Sequence, residues 1–389
     1  MHDFYPNVYG DRGFLCYPDP LEKLPSSEIF NYLDCVASSL SNFVNKQIVR
    51  DELNKLPYYG FSYSVLSNYK ERPVLNRLRM LYAYFASAYV HGQDGFNGHI
   101  PEQIARPLCA LSEIVKRPPI LSYADYALNN WKRRDTRKGI TLDNLRLLQY
   151  FQGSRDEAWF ILIHVDIEAK AGKLLQSLYN LSEFIYSGKE HNDDLFTSNL
   201  ASIMDAFIGL NETLARMPEQ CSPDVYYKQV RPYIFGFDKV VYDGVNSCSF
   251  FAPGPEQSFR GETGAQSSIV PAVLAGLGIK HKNSILTSHL NDMKNYMPVS
   301  HRNFIQHLED TTSVRDYIKG LKGFSGLNLA KMYNEILGEL SKFREMHLEY
   351  AISYIQKKCD NPNGTGGTIY VKWLSELVNE TKSHYLKSE

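Results

Sequence analysis

The segment that decides the fold is residues 326–358, GLNLAKMYNEILGELSKFREMHLEYAISYIQKK. Its apolar positions recur at alternating spacings of four and three residues, and this period places all of them on one face of an α-helix. That apolar face consists of Leu329, Tyr333, Ile336, Leu340, Phe343, His347, Tyr350 and Tyr354. The segment therefore predicts one long helix with a buried face.

Helical patterns also occur on both sides of this segment. Before residue 150, we expect helices from Ser26 to about Lys46, over 74–91, and from Pro101, which suits a first helical turn. A helix is expected to begin near Ser154 and to run to about Tyr186. The remaining expected elements are helices at 194–216, 223–235, 266–279, 284–296 and 369–386, a short hairpin within 238–252, and loops at 132–139 and 359–368.

The order of these elements indicates the fold class. Strands and helices do not alternate, so a parallel sheet is not expected. A chain of 389 residues is also long for a single core. The sequence therefore predicts a mainly α fold, with a small, mostly helical domain over residues 1–150 and a larger all-α domain over residues 151–389.

Composition excludes several classes of function. The formal net charge of −1 gives no long-range field that favours nucleic acid or an anionic membrane, so neither is expected as a partner. No apolar run is long enough to span a bilayer and no secretory leader pattern begins the chain, so a cytoplasmic location is expected. The six cysteines are scattered without a CxxC pair, which predicts reduced thiols rather than disulfides or a zinc site.

Two histidines occupy apolar helical faces. His347 lies in the middle of the face described above, where its ring nitrogens could contact iron and a hydrogen-bond partner, or two protein groups of an ordinary core. The spacing alone leaves both interpretations open. Arg344, one turn earlier, could pair with a cofactor propionate. His164 lies between Ile163 and Val165 on another long helix and is also expected to be buried. Two such histidines permit one on each side of a planar cofactor.

Five ordered blocks carry a family resemblance. They are RPPILSYADYALNNWK (117–132), FRGETGAQSS (259–268), YMPVSHRNF (296–304), REMHLEYA (344–351) and GTGGT (364–368). Together they resemble the indoleamine 2,3-dioxygenase family. The resemblance implies two helical domains with one haem b between them, held mostly by the larger C-terminal domain. It also implies insertion of both atoms of O2 across the indole 2,3 bond of tryptophan, giving N-formylkynurenine in the kynurenine route, with an unidentified electron donor that keeps the iron ferrous.

The resemblance also implies roles for particular residues. His347 resembles the proximal iron ligand and Arg344 the residue at a haem propionate, while Thr263 and Gly264 match the segment against the haem edge. The implied substrate-binding residues are Tyr123, Phe160, Tyr226, Arg231, Ile234 and Thr365. A guanidinium suits a substrate carboxylate and aromatic rings suit an indole. The glycines of GTGGT would allow a closing loop. Without the resemblance, a surface ion pair for Arg231 and plain packing for Tyr226 would be preferred.

Several positions depart from the family pattern. His164 stands where mammalian members carry a small hydroxyl residue, and we expect it to act in catalysis by accepting a hydrogen bond from the indole N–H. The alternative is that His164 swings to the iron and blocks it. Tyr226 replaces a phenylalanine, so a hydroxylated indole is an alternative substrate. Glu262 and Leu274 also differ from the usual pattern, and these changes bear on substrate identity and rate.

Four functions follow from these observations. The first is the tryptophan dioxygenase, and the second is a haem enzyme of the same fold that acts on another indole in secondary metabolism. The third is a non-enzymatic haem- or oxygen-binding protein, and the fourth is a helical scaffold without a cofactor. The sequence contains no P-loop, dinucleotide fingerprint or Ser-His-Asp motif that would offer another active site.

Overall fold

A computed structural model describes residues 12–61, 66, 72–93, 95–358 and 370–387, and it is mainly helical, as predicted. The helices longer than one turn before residue 150 are α1 (Glu28–Asn45), α2 (Val49–Leu53), α3 (Arg72–His91) and α4 (Glu102–Val115). Those after it are α5 (Arg155–Tyr186), α6 (Asp193–Ala215), α7 (Ile269–Leu277), α8 (Ile285–Lys294), α9 (Val299–Asp310), α10 (Val314–Gly320), α11 (Gly323–Tyr354) and α12 (Tyr370–Lys382).

Three long helices form the centre of the second part. Helix α6 packs against both α5 and α11, and α12 packs on α11. The hydroxyl of Ser154 accepts a hydrogen bond from the backbone N–H of Glu157 at 3.1 Å, which caps the start of α5. The predicted apolar face of α11 is fully buried from Leu329 to Leu340. The predicted start of α5 is therefore confirmed, and so is the predicted burial of the α11 face from Leu329 to Leu340, although α11 begins at Gly323 rather than at residue 326.

A buried ion pair joins α3 to the segment 117–131. Arg79 on α3 is fully buried, forms an ion pair with Asp125 at 3.3 Å, and donates hydrogen bonds to the carbonyl oxygens of Pro118 and Ile120. Asp125 belongs to a short π-helix, Ala124–Leu128. A buried charge needs such partners, so these contacts fix the course of a segment that carries predicted site residues.

Two small sheets accompany the helices. Strand β1 (His99–Ile100) pairs in parallel with β4 (Phe237–Tyr242), which pairs antiparallel with β5 (Glu256–Phe259); β2 (Lys132–Arg133) pairs with β3 (Leu145–Arg146). The predicted hairpin near 238–252 exists, but its strands are joined by a longer loop. The short parallel pair of β1 and β4 was not expected.

Other expected elements differ from the structure at prolines. The helix expected over 223–235 is instead a helical turn, a π-helix (Tyr226–Val230) and a 3₁₀-helix (Arg231–Ile234). Pro232 lacks a backbone N–H and cannot continue an α-helical ladder at that point. Pro101 lies at the N-cap of α4 in an extended conformation, one residue before the first turn. Helices α9 and α10 were not predicted.

One hydrophobic cluster includes buried side chains from both sides of residue 150, so the division into two domains stays a prediction. None of the five described cysteines forms a disulfide, as predicted. In the part of the chain that the structure describes, no helix is long and apolar enough to cross a membrane. The predicted loop 359–368, with Thr365, lies outside the described residues.

Candidate active site

The apolar face of α11 opens at His347. Leu340 is fully buried and Phe343 is half-buried, whereas His347 is exposed and Tyr354 is buried again. The pKa of His347 is nevertheless lowered to about 4, mainly by burial and further by the nearby His164, so many protein atoms surround the ring although its surface is accessible. The ring therefore lines a concave space, which we call the recess. The prediction that His347 is itself buried is wrong, because the packing partners of α11 leave this part of its face uncovered.

His164 of α5 presents one nitrogen as a hydrogen-bond acceptor. Its Nδ1 lies 2.8 Å from the carbonyl oxygen of Phe160, one turn earlier in the helix. A carbonyl oxygen can only accept, so Nδ1 carries the proton and Nε2 carries a lone pair. Burial lowers the pKa of His164, so the ring stays neutral near pH 7. The side chain is half-buried, so part of its surface is accessible to a ligand.

Aromatic side chains continue from His164 towards α11. The His164 ring lies 4.8 Å from Phe160 and 5.9 Å from Tyr123, measured between ring centroids. Phe160 lies 4.7 Å from Tyr226, which in turn lies 5.8 Å from Tyr354 of α11. Three of the predicted substrate-binding residues are thus brought together with His164, although they come from three separate segments.

The π-helix at Tyr226 leads directly to the other predicted residues of its block. Arg231 is 4% exposed, and the central carbon of its guanidinium lies 4.7 Å from the ring centroid of Phe235. Arg231 is therefore too deeply buried to form an ion pair at the protein surface. Ile234 is also buried, and its carbonyl oxygen accepts a hydrogen bond from the backbone N–H of Glu262 at 3.0 Å. This bond joins the block at 226–235 to the block at 259–268.

A buried carboxyl group that sequence reasoning missed lies beside these residues. Glu168 follows His164 by one helical turn and is fully buried. Its Oε1 accepts hydrogen bonds from the hydroxyls of Tyr123 at 3.0 Å and Ser267 at 2.7 Å, whereas its Oε2 is buried without a hydrogen-bond partner. Burial raises the pKa of Glu168 to about 7. The spacing of four from His164 was the signal that could have identified it.

The segment 259–268 lies along the same part of the molecule. The side-chain oxygen of Gln266 accepts a hydrogen bond from the backbone N–H of Tyr123 at 2.9 Å. Thr263 caps a 3₁₀-turn and Gly264 is exposed, so the position next to a cofactor edge that the resemblance implies for both stays a prediction. Glu262 is 4% exposed and burial raises its pKa to about 8, so it is a largely neutral acid near pH 7. Leu274 of α7 is half-buried.

Arg344 is buried and its side chain contacts α12. Its guanidinium donates to the carbonyl oxygen of Leu377 at 2.8 Å and to the hydroxyl of Thr381, and it lies 3.3 Å from Nε2 of His281. Burial lowers the pKa of Arg344 to about 10. This value is still well above neutral pH, so the guanidinium remains charged. Its predicted contact with a haem propionate stays a prediction.

The chemistry of the recess is compatible with a haem. A neutral imidazole is the form that binds iron, and none of the described residues donates or accepts a hydrogen bond at the His347 ring. Among the described residues, no group of three or more His, Cys, Asp or Glu side chains could hold a bare metal ion. A single exposed histidine with aromatic side chains nearby therefore suits a planar iron cofactor better than a metal ion bound by protein ligands alone.

Comparison with known proteins identifies the family. The sequence model of the family described as indoleamine 2,3-dioxygenase matches residues 2–384. The chain is 30% identical to indoleamine 2,3-dioxygenase 1 of Rattus norvegicus, across 97% of this chain and 94% of that protein. It is 28% identical to indoleamine 2,3-dioxygenase nanC of Aspergillus nanangensis, across 95% and 93% of the two chains. It is 26% identical to 6-hydroxytryptophan 2,3-dioxygenase fscD of Fusarium equiseti, across 95% and 94%.

The chain belongs to the indoleamine 2,3-dioxygenase family. The predicted family, the mainly α fold and the enzyme class, a haem dioxygenase, are thereby confirmed.

Proposed function

We propose that this protein is a haem-dependent dioxygenase that cleaves the indole 2,3 bond of tryptophan with O2 and yields N-formylkynurenine. The observation that carries the proposal is the arrangement of two neutral histidines from α5 and α11, close enough for one to lower the pKa of the other. His347 is accessible in the recess, and His164 lies next to the rings of Phe160 and Tyr123. Family membership supports the same reaction class.

The cofactor would be one haem b per chain, with His347 as its iron ligand. When bound, ferrous haem supplies the activation of dioxygen and the insertion of both oxygen atoms into the substrate. Arg344 would hold a propionate, and Thr263 and Gly264 would lie against the edge of the ring. The low pKa of His347 favours this role, because the lone pair is available for iron across the physiological pH range.

The substrate would be held by groups of different chemistry at its two ends. Nε2 of His164 would accept the indole N–H, since its Nδ1 is committed to the Phe160 carbonyl. The guanidinium of Arg231 would bind the carboxylate of the amino acid. The walls of the indole site would be Tyr123, Phe160, Tyr226 and Ile234, and Thr365 would lie near the ammonium group. Glu168 would position Tyr123, because the two share a buried hydrogen bond of 3.0 Å.

The test is reconstitution of the full chain with haem, an anaerobic titration with L-tryptophan, and then addition of isotopically labelled O2. We expect one haem per chain and a product that contains both atoms of the labelled gas, detected by mass spectrometry. His347→Ala should lose haem binding, whereas His99→Ala, an exposed histidine on the surface, should retain it. Full haem binding by His347→Ala, or an unlabelled product, would overturn the proposal.

One observation favours a second candidate, a hydroxylated tryptophan. Tyr226 places a phenol against Phe160 in the expected indole site, and one relative is named a 6-hydroxytryptophan 2,3-dioxygenase. A substrate hydroxyl could hydrogen-bond to this phenol. If 6-hydroxytryptophan is the better substrate, its kcat/KM should exceed that of tryptophan and the preference should disappear in Tyr226→Phe. A preference for tryptophan in both proteins would reject this candidate.

A further inference from the structure

A separate cavity of about 240 Å³ lies between α3, α4, the segment from Phe14 to Leu21 and the start of α9. Among its lining residues are Phe14, Leu21, Arg77, Ile114, Arg117 and Val299. None of its lining residues is among those that surround His164 or His347. The cavity therefore needs an explanation of its own, independent of the reaction proposed above.

Arg77 supplies a buried charge with unused hydrogen-bond donors. It is 7% exposed, and one of its terminal nitrogens, Nη2, donates to Asp34 at 3.0 Å. Its Nε and Nη1 are buried and have no hydrogen-bond partner. A guanidinium keeps its charge when it is buried. Buried N–H groups without a hydrogen-bond acceptor therefore cost free energy, unless a ligand accepts hydrogen bonds from them. The side chain lines the cavity, so a ligand there can reach it.

The wall of the cavity carries positive charge, although Arg77 and Arg117 each also pair with a carboxylate outside the lining. Its described lining includes three arginines, Arg72, Arg77 and Arg117, and no aspartate or glutamate. Arg117 is 2% exposed and already donates to Ser122 at 3.0 Å and to Asp125 at 3.3 Å. The lining histidine, His301, is neutral, because burial lowers its pKa to about 3. Positive charge at low exposure favours a ligand with a negative group.

The lining also includes apolar and flat surfaces. The Phe14 ring stacks on His301 with 4.4 Å between ring centroids, and Leu21, Leu75 and Ile114 are among the apolar residues of the lining. Phosphate or sulfate would use the arginines but would leave these surfaces without a partner. A ligand with a flat apolar body and one negative group matches both parts of the lining.

We propose that this cavity binds a small aromatic carboxylate, with the carboxylate at Arg77 and the ring among Phe14, Leu21 and Ile114. The site is distinct from the substrate site, and its occupation does not require haem. Arg117 lies in its wall and holds Ser122, the residue before Tyr123, so the ligand would lie close to the segment that forms one wall of the substrate site.

The first test uses indole-3-acetate as the charged probe and indole-3-acetamide as its neutral counterpart. Each is titrated by calorimetry into the full-length parent and into Arg231→Ala, which lacks the carboxylate partner proposed for the substrate site. We expect binding of the acid, and at least about tenfold weaker binding of the amide, the factor for loss of a hydrogen bond between charged groups. Equal affinity of the two probes, or displacement of the acid by an equal concentration of inorganic phosphate, would overturn the proposal.

The second test uses variants. Arg77→Gln should weaken indole-3-acetate binding by about tenfold or more, whereas Arg146→Gln, at an exposed arginine outside the cavity, should not change it. Because Arg77→Gln also removes the ion pair with Asp34, a variant that fills the cavity provides an independent check. Val299→Trp should abolish binding, and Ile285→Trp, also at the first position of a helix, should leave it intact.

Unchanged binding in Val299→Trp and in folded Arg77→Gln would refute the site. Neither substitution touches the recess, so loss of probe binding with haem binding and product formation retained separates this proposal from the proposed function.

Discussion

The hydrogen bond proposed between His164 and the indole N–H can be tested by measuring how a substitution at His164 and a change in the ligand together alter the Kd. His164→Ala removes the acceptor for the indole N–H and also an aromatic ring of the proposed indole site, which lies 4.8 Å from Phe160 and 5.9 Å from Tyr123 and would contact the bound indole. A neutral hydrogen bond contributes about 0.5–1.5 kcal/mol, and an aromatic contact a further ~0.5–1.5 kcal/mol. The sum, about 1–3 kcal/mol, corresponds to a Kd for tryptophan raised about 5-fold to about 150-fold.

The assay is an anaerobic titration of the ferrous, haem-loaded protein with L-tryptophan and with 1-methyl-L-tryptophan, which lacks the indole N–H. In the parent, the methylated compound should bind more weakly because it cannot donate to Nε2. In His164→Ala this difference should shrink, since the acceptor is gone. His99→Ala is the control at an exposed histidine. Equal tryptophan affinity in His164→Ala and the parent, or an undiminished difference between the two ligands, would refute the reasoning.

Three further predictions concern the substrate site and stability. Arg231→Lys keeps the charge but loses the planar fork, so KM for tryptophan should rise about tenfold, while Arg146→Lys should leave it unchanged; steady-state kinetics decide. Glu262 has a folded-state pKa of about 8, above its unfolded value, so its contribution to stability is full below pH ~4.5 and is lost as pH rises towards 8. Urea unfolding of Glu262→Gln should therefore show a smaller loss of stability between pH 6 and 8 than the parent, and parallel curves would contradict this assignment. Leu340→Ala, at a fully buried position of α11, should lower the free energy of unfolding by about 2–5 kcal/mol, against a small effect of Leu327→Ala at an exposed position of the same helix; similar losses in both would contradict the packing of this face.

Several features were predictable because they depend on residues close together in the chain. The start of α5 follows from Ser154 and the charged turn after it, and the face of α11 follows from a spacing of four and three. The five ordered blocks were sufficient to identify the family. The replacement of the predicted helix over 223–235 by shorter helical turns also depends on a nearby residue, Pro232. The helical pattern on both sides of Pro232 nevertheless led to the prediction of one continuous helix.

The sequence by itself thus determined the helical class, the two long helices with their histidines, and the family. Only the tertiary structure decided that His347 is uncovered on its otherwise buried face, and that Glu168 joins Tyr123 and Ser267, which are 45 and 99 positions away in the chain. It also decided that Arg77 lines a separate cavity and has two buried N–H donor atoms, Nε and Nη1, without a hydrogen-bond partner. The physical reason is that periodicity and capping act between neighbouring residues, whereas exposure, hydrogen-bond partners and pKa depend on which distant segments pack together.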